Sequence, residues 1–156
     1  MKIELWAIGK TDTAYIKEGI ALYEKRLKHY VSFDSVILPD VKNPPINADA
    51  LKIKEGEIML AKLQKDDVLI VLDERGKMYG SMAFADLIEQ KQNQSTKRLI
   101  FLIGGAYGFS ETVYNRANGQ LSLSKMTFSH QMIRLFFVEQ LYRAFTIIKG
   151  EKYHNE

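Results

Sequence analysis

Hydrophobic residues recur along this chain with two spacings, one typical of strands and one typical of helices. Strands are predicted at Lys2–Ile8, Phe33–Leu38, Val68–Leu72, Leu99–Ile103 and Leu121–Ser124. Helices are predicted between Ile16 and Leu27, from Ala48 to Lys65, after Ser81 and Ser110 as N-caps, and from Gln131 to Ile148. The elements alternate without an internal repeat or linker. This order predicts one α/β domain over residues 1–156, with a mainly parallel sheet covered by helices.

The local detail of this pattern adds three expectations. The continuous run Val68–Leu72 is typical of a strand buried on both faces of a parallel sheet. The charged segment Asp73–Lys77 is expected to form a turn after it. Gly56 interrupts the second helix, where glycine costs about 1 kcal/mol relative to alanine.

The last predicted helix, Gln131–Ile148, is apolar around nearly its whole circumference. Its polar residues Glu139, Arg143 and Thr146 form one narrow stripe when projected at about 100° per residue. A helix of this kind must be covered on both sides, and a chain of 156 residues has little material for a second covering layer. We therefore predict a homodimer; the alternative is a central helix covered within the monomer.

The composition narrows the class of protein. With 46% hydrophobic and 26% charged residues, the chain is typical of a compact globular protein. The absence of cysteine excludes disulfides, a thiol nucleophile and zinc–thiolate sites, and we expect no metal. No apolar run reaches the roughly 20 residues that a membrane span requires, and no signal peptide is visible, so we expect no membrane association and a cytoplasmic location. The net charge of +3 permits an anionic partner without requiring one.

Three strand ends are the expected place for a ligand, because open parallel sheets bind ligands outside the carboxyl ends of their strands. Here those ends are Leu72–Asp73, Ile103–Gly105 and Ser122–Ser124. The paired glycines allow a close approach of the backbone to a ligand, although a glycine turn can also serve plain geometry. The G-G-x-x-G pattern is not a dinucleotide fingerprint, and no P-loop is present, which argues against a nucleoside triphosphatase.

A few polar residues near the C-terminus are candidates for chemistry. His130 begins the buried helix, where the positive end of the helix dipole favours a neutral imidazole that could act as a base, a donor or a cap. Glu139 and Arg143 are spaced for an intrahelical ion pair but also occupy the helix's only polar stripe. Tyr153 and His154 could contact nucleic acid, or could fray. These residues alone predict a glycine-lined pocket and no particular reaction.

Short motifs distributed over nearly the whole chain identify a family. They are Tyr23–Leu27, Lys54–Glu57, Leu72-Asp73-x-x-Gly76-Lys77, Phe101-x-Ile103-Gly104-Gly105-x-x-Gly108, Leu121–Ser124 with Met126-Thr127-Phe128-x-His130, Glu139–Ala144 and Tyr153-His154. In order and spacing they resemble the bacterial large-subunit ribosomal RNA pseudouridine N3-methyltransferases (methyltransferase H), a compact branch of the SPOUT superfamily. One position departs: a proline usually precedes the family histidine that matches His130, and this chain has Ser129, which can cap the helix that follows.

The resemblance implies a SPOUT α/β knot, with a trefoil knot near the C-terminus, and a homodimer. It implies that S-adenosyl-L-methionine binds in the knotted loops, at Leu72, Gly104, Leu123, Ser124, Lys125, Met126, Thr127 and Phe128. It also implies methyl transfer to N3 of a pseudouridine in 23S ribosomal RNA. Because so small a domain carries no added RNA-binding module, we expect recognition of the assembled ribosome by both subunits.

On the basis of this resemblance, we expect Arg143, Tyr142 and His154 to position the uracil ring and to stabilise the charge that develops on it. His130 is a secondary candidate. Two alternatives remain open. One is a SPOUT methyltransferase that acts on another RNA, such as transfer RNA. The other is a non-catalytic ribosome-binding protein of the same fold.

Overall fold

The computed structural model describes residues 1–155. Five strands form the sheet: β1 (Lys2–Ile8), β2 (Ser32–Leu38), β3 (Val68–Met78), β4 (Arg98–Ile103) and β5 (Gly119–Ser122). Five helices alternate with them: α1 (Ala14–Leu27), α2 (Ala48–Ala61), α3 (Ser81–Asn93), α4 (Glu111–Arg116) and α5 (His130–Ile148). The predicted alternation of strands and helices is confirmed. Over residues 1–155, no helix is long and apolar enough to cross a bilayer.

The sheet has the order β2-β1-β4-β3-β5, and every neighbouring pair is parallel. All five carboxyl ends therefore lie at one edge. Helices α1, α3 and α5 pack on one face around a core that includes Phe101 and Phe137, whose ring centroids are 4.7 Å apart. Helices α2 and α4 cover the other face around Trp6 and Met59. The parallel α/β fold with helices on both faces is thus confirmed.

The predicted turn over Asp73–Lys77 is wrong, because β3 continues to Met78. Its pairing with β5 shifts register between Leu72 and Lys77, which makes the charged segment an irregularity within a strand. Gly76 permits this because a Cβ at that position would lie 2.8 Å from the backbone nitrogen of Leu121. The charged residues of this segment therefore do not end the strand.

Helix boundaries also differ from those predicted. Helix α2 ends at Ala61 rather than Lys65, and the N-cap of α3 is Gly80 rather than Ser81, whose hydroxyl instead donates to Gln140 on α5 at 3.3 Å. Strand β5 covers Gly119–Ser122 rather than Leu121–Ser124. The N-cap predicted at Ser110 is confirmed by a bond from the Val113 backbone N–H at 3.4 Å, and Ser129 caps α5.

Candidate functional site

A cavity of about 510 Å³ opens at the carboxyl ends of β4 and β5, beside residues 72–75 of β3. It lies between the loop that follows β4, the loop that follows β5 and the start of α5. Of the predicted cofactor residues, the structure places seven on its wall: Leu72, Gly104, Leu123, Ser124, Met126, Thr127 and Phe128. Lys125 belongs to the same loop but does not line the cavity.

Local hydrogen bonds fix the loop between β5 and α5. The Ser122 hydroxyl donates to the Ser124 carbonyl at 2.8 Å, and the Met126 backbone N–H donates to the Ser124 hydroxyl at 2.9 Å. The Thr127 hydroxyl donates to Glu74 at 3.1 Å, which joins this loop to β3. At the end of the loop, the Ser129 hydroxyl accepts from the Met132 N–H at 3.1 Å and so begins α5. Short polar side chains therefore hold the loop in shape.

The glycine loop after β4 is in close contact with Phe109 and with Glu55 of α2. A Cβ on Gly104 would lie 3.0 Å from the ring of Phe109, and one on Gly105 would lie only 2.4 Å from an oxygen of Glu55 on α2. Gly108 adopts φ +85°, and its N–H donates to the Gly105 carbonyl at 3.1 Å. The glycines are thus required by close contacts and by a left-handed turn. Glu55 was not predicted as part of this region.

The carboxylate of Asp73, which is ionised, lines the cavity. Tyr114 donates its hydroxyl hydrogen to Asp73, and the Arg75 backbone N–H donates to the same side chain at 2.9 Å. Burial alone would raise the pKa of Asp73, but these hydrogen bonds outweigh it and the net shift is downward. Tyr114 was missed by the sequence reasoning, because nothing in the pattern of α4 distinguishes it from an ordinary helical residue.

His130, the secondary catalytic candidate, also lines this cavity. Its pKa is lowered, first by burial and then by the positive charge of Arg134. A neutral imidazole is the form expected from its place at the start of α5, although burial is the largest cause of the shift.

The other three catalytic candidates form a separate cluster at the far end of α5. Arg143 donates to Glu139 at 2.6 Å, and its Nη1 lies 3.3 Å from His154 Nδ1. The Tyr153 hydroxyl donates to Glu139 at 3.0 Å, and the ring of Tyr153 lies 4.8 Å from that of Tyr142. The C-terminal aromatic residues therefore pack against α5 and do not fray. Glu139 and Arg143 form the ion pair that their spacing allowed.

The cluster and the cavity are far apart within one chain. His130 and Arg143 are thirteen positions apart on α5, which corresponds to about 20 Å at 1.5 Å per residue. The structure thus brings Arg143, Tyr142 and His154 together but does not bring them to the cavity at the strand ends of the same chain. Over residues 1–155, no group of three or more His, Cys, Asp or Glu side chains could hold a metal ion.

Comparison with known proteins identifies the family. A family model described as "Predicted SPOUT methyltransferase" matches residues 1–154. The chain belongs to the SPOUT methyltransferase family. A SPOUT methyltransferase uses a methyl donor, so the cavity at the strand ends is the candidate place for one.

Several relatives of this SPOUT methyltransferase are similar over their whole length. A protein of Cytophaga hutchinsonii is 56% identical over 155 residues, which cover 99% of this chain and 100% of the relative. Proteins of Parabacteroides distasonis and Flavobacterium johnsoniae are 53% and 52% identical, with complete coverage of both chains. Each of these relatives is named "Ribosomal RNA large subunit methyltransferase H". The resemblance to methyltransferase H is thereby confirmed.

Proposed function

We propose that this SPOUT methyltransferase transfers a methyl group to N3 of a pseudouridine in large-subunit (23S) ribosomal RNA. The observation that carries the proposal is the full-length similarity to relatives named for methylation of that RNA. The N3 position and the pseudouridine follow from the motifs that the chain shares with the pseudouridine N3-methyltransferases. This substrate would place the enzyme in the cytoplasm, where bacterial ribosomes are found.

We propose S-adenosyl-L-methionine as the methyl donor, which supplies a methyl group activated by a positively charged sulfur. The cavity fits such a molecule, since its wall combines apolar side chains, among them Leu72 and Leu123, with the backbone of Gly104 and of the 123–128 loop. The ionised Asp73 also lines the cavity, where its negative charge is partly balanced by an ion pair with Arg75 at 3.5 Å. Lys125 would contribute through its backbone only.

The residues that act on the uracil ring have two tasks. They must align N3 with the methyl group, and they must stabilise the negative charge that develops when N3 loses its proton. In this proposal Arg143 supplies the positive charge, Tyr142 contacts the ring, and His154 helps to hold Arg143 in place. His130, which is neutral and lines the cavity, is the secondary candidate for accepting the proton.

The separation of about 20 Å along α5 leads us to propose a homodimer in which Arg143 of one subunit acts at the cofactor cavity of the other. Exposed apolar side chains support a covered face on α1 and α5: Tyr15 is 65% exposed and Phe136 is 39% exposed. Both subunits would then share recognition of the ribosome. We also propose one domain over residues 1–156 with a trefoil knot near the C-terminus, in line with the family.

The experiment that tests the function is transfer of a labelled methyl group from S-adenosyl-L-methionine. The substrates are intact ribosomes that lack the modification, separated large subunits, naked ribosomal RNA and transfer RNA, each assayed in parallel. We expect label in 23S RNA from intact ribosomes, at N3 of a pseudouridine. Label in transfer RNA alone would replace the proposed substrate, and a chain that neither binds the cofactor nor transfers methyl would be a non-catalytic member of the fold.

A further inference from the structure

A second cavity, of about 380 Å³, lies between α1 and the strands β1 and β2. It shares no lining residue with the cofactor cavity. Its volume falls within the range of about 300–1,000 Å³ that is usual for small-molecule sites. The apolar part of its wall consists of Leu5, Ala7, Ile20, Ala21 and Ile37. The methyl-transfer mechanism proposed above makes no use of this cavity.

A buried arginine lies at one end of this cavity. Arg134 is only 4% exposed, and its Nη atoms donate to the carbonyls of Ile8 and Gly9 and to the Thr11 hydroxyl at 2.9–3.0 Å. In residues 1–155, no carboxylate lies within ion-pair distance of this guanidinium, and its Nε has no hydrogen-bond partner. The charge of Arg134 is therefore balanced by hydrogen bonds to neutral oxygens and by carboxylates beyond ion-pair distance, which leaves this end of the cavity able to attract an anion.

Two lysines add to the positive charge at the same end. Lys10 and Lys17 line the cavity, and neither forms an ion pair with any described residue. The first turn of α1, which begins at Ala14, contributes the positive end of the helix dipole. Asp12 and Asp40 lie near Arg134 and reduce the local charge, but neither forms an ion pair with it. The positive groups at this end suit an anion.

The opposite end of the cavity is acidic. Glu24 lines it and accepts a hydrogen bond from the Ser35 hydroxyl at 2.6 Å, which leaves further acceptor capacity on the carboxylate. Glu24 follows Lys17 by seven residues on α1, so the two ends are about 10 Å apart along the helix. The cavity therefore offers cations at one end, apolar walls in the middle and a hydrogen-bond acceptor at the other end.

We propose that this cavity binds a nucleotide, with its phosphate at Lys10, Lys17 and Arg134, its base between the apolar walls, and an N–H group of the base donating to Glu24. Carboxylates accept hydrogen bonds from base amino groups, and unpaired bases in RNA are read at these edges. A simple anion would make no use of Glu24, and an uncharged apolar molecule would make no use of the cations. A ligand with both features contacts both ends of the cavity.

The nucleotide has two possible sources, a free mononucleotide or one nucleotide of an RNA strand. The second source rests on the proposed function, because it makes the cavity an additional contact with the RNA substrate. The first does not depend on that function. The test below therefore reads binding at the cavity itself and uses no measurement of methyl transfer.

The primary experiment is a titration of the full chain followed by amide NMR at Ala7, Ala21 and Ile37. S-adenosylhomocysteine is present in excess, so that adenine-containing probes do not report the cofactor cavity. The probes are the four ribonucleoside 5′-monophosphates, the matching nucleosides and short single-stranded RNA. We expect the chemical shifts of these amides to change saturably. The affinity obtained from them should be at least tenfold lower for a nucleoside than for its nucleotide. If mononucleotides change these shifts, the ligand is a free mononucleotide. If only RNA changes them, the ligand is a nucleotide of an RNA strand. If neither changes them, the proposal is overturned.

Two variants and a matched control localise the binding. Lys17→Glu reverses a charge in the cavity, and Ala21→Phe fills its middle from an exposed position on α1. Each is expected to weaken nucleotide binding at least tenfold. Lys25→Glu makes the same charge change on the same helix outside the cavity, and should leave binding unchanged. Parental affinity in both cavity variants would overturn the assignment, whatever the outcome of the methylation assay.

Discussion

Glu55 has a buried carboxylate, 7% exposed, that lies directly behind the glycine loop and has one oxygen, Oε1, without a hydrogen-bond partner among residues 1–155. Its pKa is raised above 4.5, first by burial and then by the negative charge of Asp40. The folded chain thus holds this proton more tightly than the unfolded chain. Ionisation of Glu55 therefore costs folding free energy at neutral pH, and this cost disappears as pH falls below 4.5.

The substitution Glu55→Gln removes that cost. We expect the variant to have a larger free energy of unfolding than the parent at pH 7 to 8, with the difference shrinking toward zero as the pH is lowered through the raised pKa. Urea denaturation across this pH range measures it. Glu57→Gln, at an exposed position on the same helix, is the control and should show no such pH dependence. A difference independent of pH would show that ionisation of Glu55 is not its cause.

Gly105 has no room for a side chain. Gly105→Ala would place a Cβ 2.4 Å from an oxygen of Glu55, so either the loop or the carboxylate must move. Because this loop lines the cofactor cavity, we expect weaker binding of S-adenosyl-L-methionine, measured by calorimetry, together with a loss of stability of about 1–3 kcal/mol. Gly119→Ala, whose Cβ would meet only Ile70 at 3.8 Å, is the control. If Gly105→Ala binds S-adenosyl-L-methionine as tightly as the parent does, the contact between Gly105 and Glu55 has no effect on cofactor binding.

Arg143 is the residue on which the proposed chemistry depends most. Arg143→Ala should retain cofactor affinity and lose turnover by about 10²–10³-fold, as expected when a group that stabilises developing charge is removed. Calorimetry and the labelled-methyl assay measure the two quantities. Arg116→Ala, which removes an arginine on α4 that bonds to backbone carbonyls, serves as the control. Unchanged turnover in Arg143→Ala would rule this residue out.

Residue patterns predicted that the strand ends would lie around one cavity, but they did not predict the contacts behind it. Parallel strands place their carboxyl ends at one edge, so Leu72, Gly104 and Leu123 could be grouped from the sequence. Gly56 was interpreted as a weak point of α2. Instead it allows close packing, since a Cβ there would lie 2.6 Å from the Ser110 hydroxyl oxygen. Contacts between residues distant in sequence leave no periodic signal, and for this reason the contact of Glu55 with Gly105 was not predicted either.

At the scale of single elements, hydrophobic spacing located helices well and their ends less well. Helix α5 begins at His130, one residue before the predicted start. It also contains a polar residue that was not included in the predicted polar stripe, Arg134, which is buried against the end of β1. A buried arginine cannot be distinguished from an exposed one by spacing alone. The extension of β3 to Met78 was missed for a related reason, because charged residues are ordinary on an exposed part of a strand.

The N-cap of α5 determines how the loop between β5 and α5 meets the helix. Ser129→Ala removes the acceptor of the Met132 N–H and should lower the free energy of unfolding by about 1 kcal/mol in urea denaturation. Ser129→Asp keeps an acceptor and adds a negative charge at the positive end of the helix, so it should match or exceed the parent. Equal stabilities of the alanine and aspartate variants would show that the cap contributes nothing.

At the scale of the whole molecule, the proposed dimer makes a quantitative prediction. Arg143→Ala and Leu123→Arg, which places a charge in the wall of the cofactor cavity, should each be inactive alone. If Arg143 acts across the interface, co-expression restores one of the two sites in each mixed dimer, or about a quarter of parental activity for random pairing. The labelled-methyl assay measures this. Activity that remains at the level of the separate variants would place Arg143 and the cavity in the same chain.

The strand order also determines when this protein can fold as it is made. Strand β1 emerges first from the ribosome, yet it pairs along one edge with β4, in the register Lys2↔Arg98. Until Ile103 has been synthesised, β1 and β3 lack the strand that lies between them. Pairings between such distant residues close large loops and form slowly. The nascent chain therefore carries open edges on β1 and β3 until β4 has left the ribosome, and the face that α5 covers stays open until α5 follows.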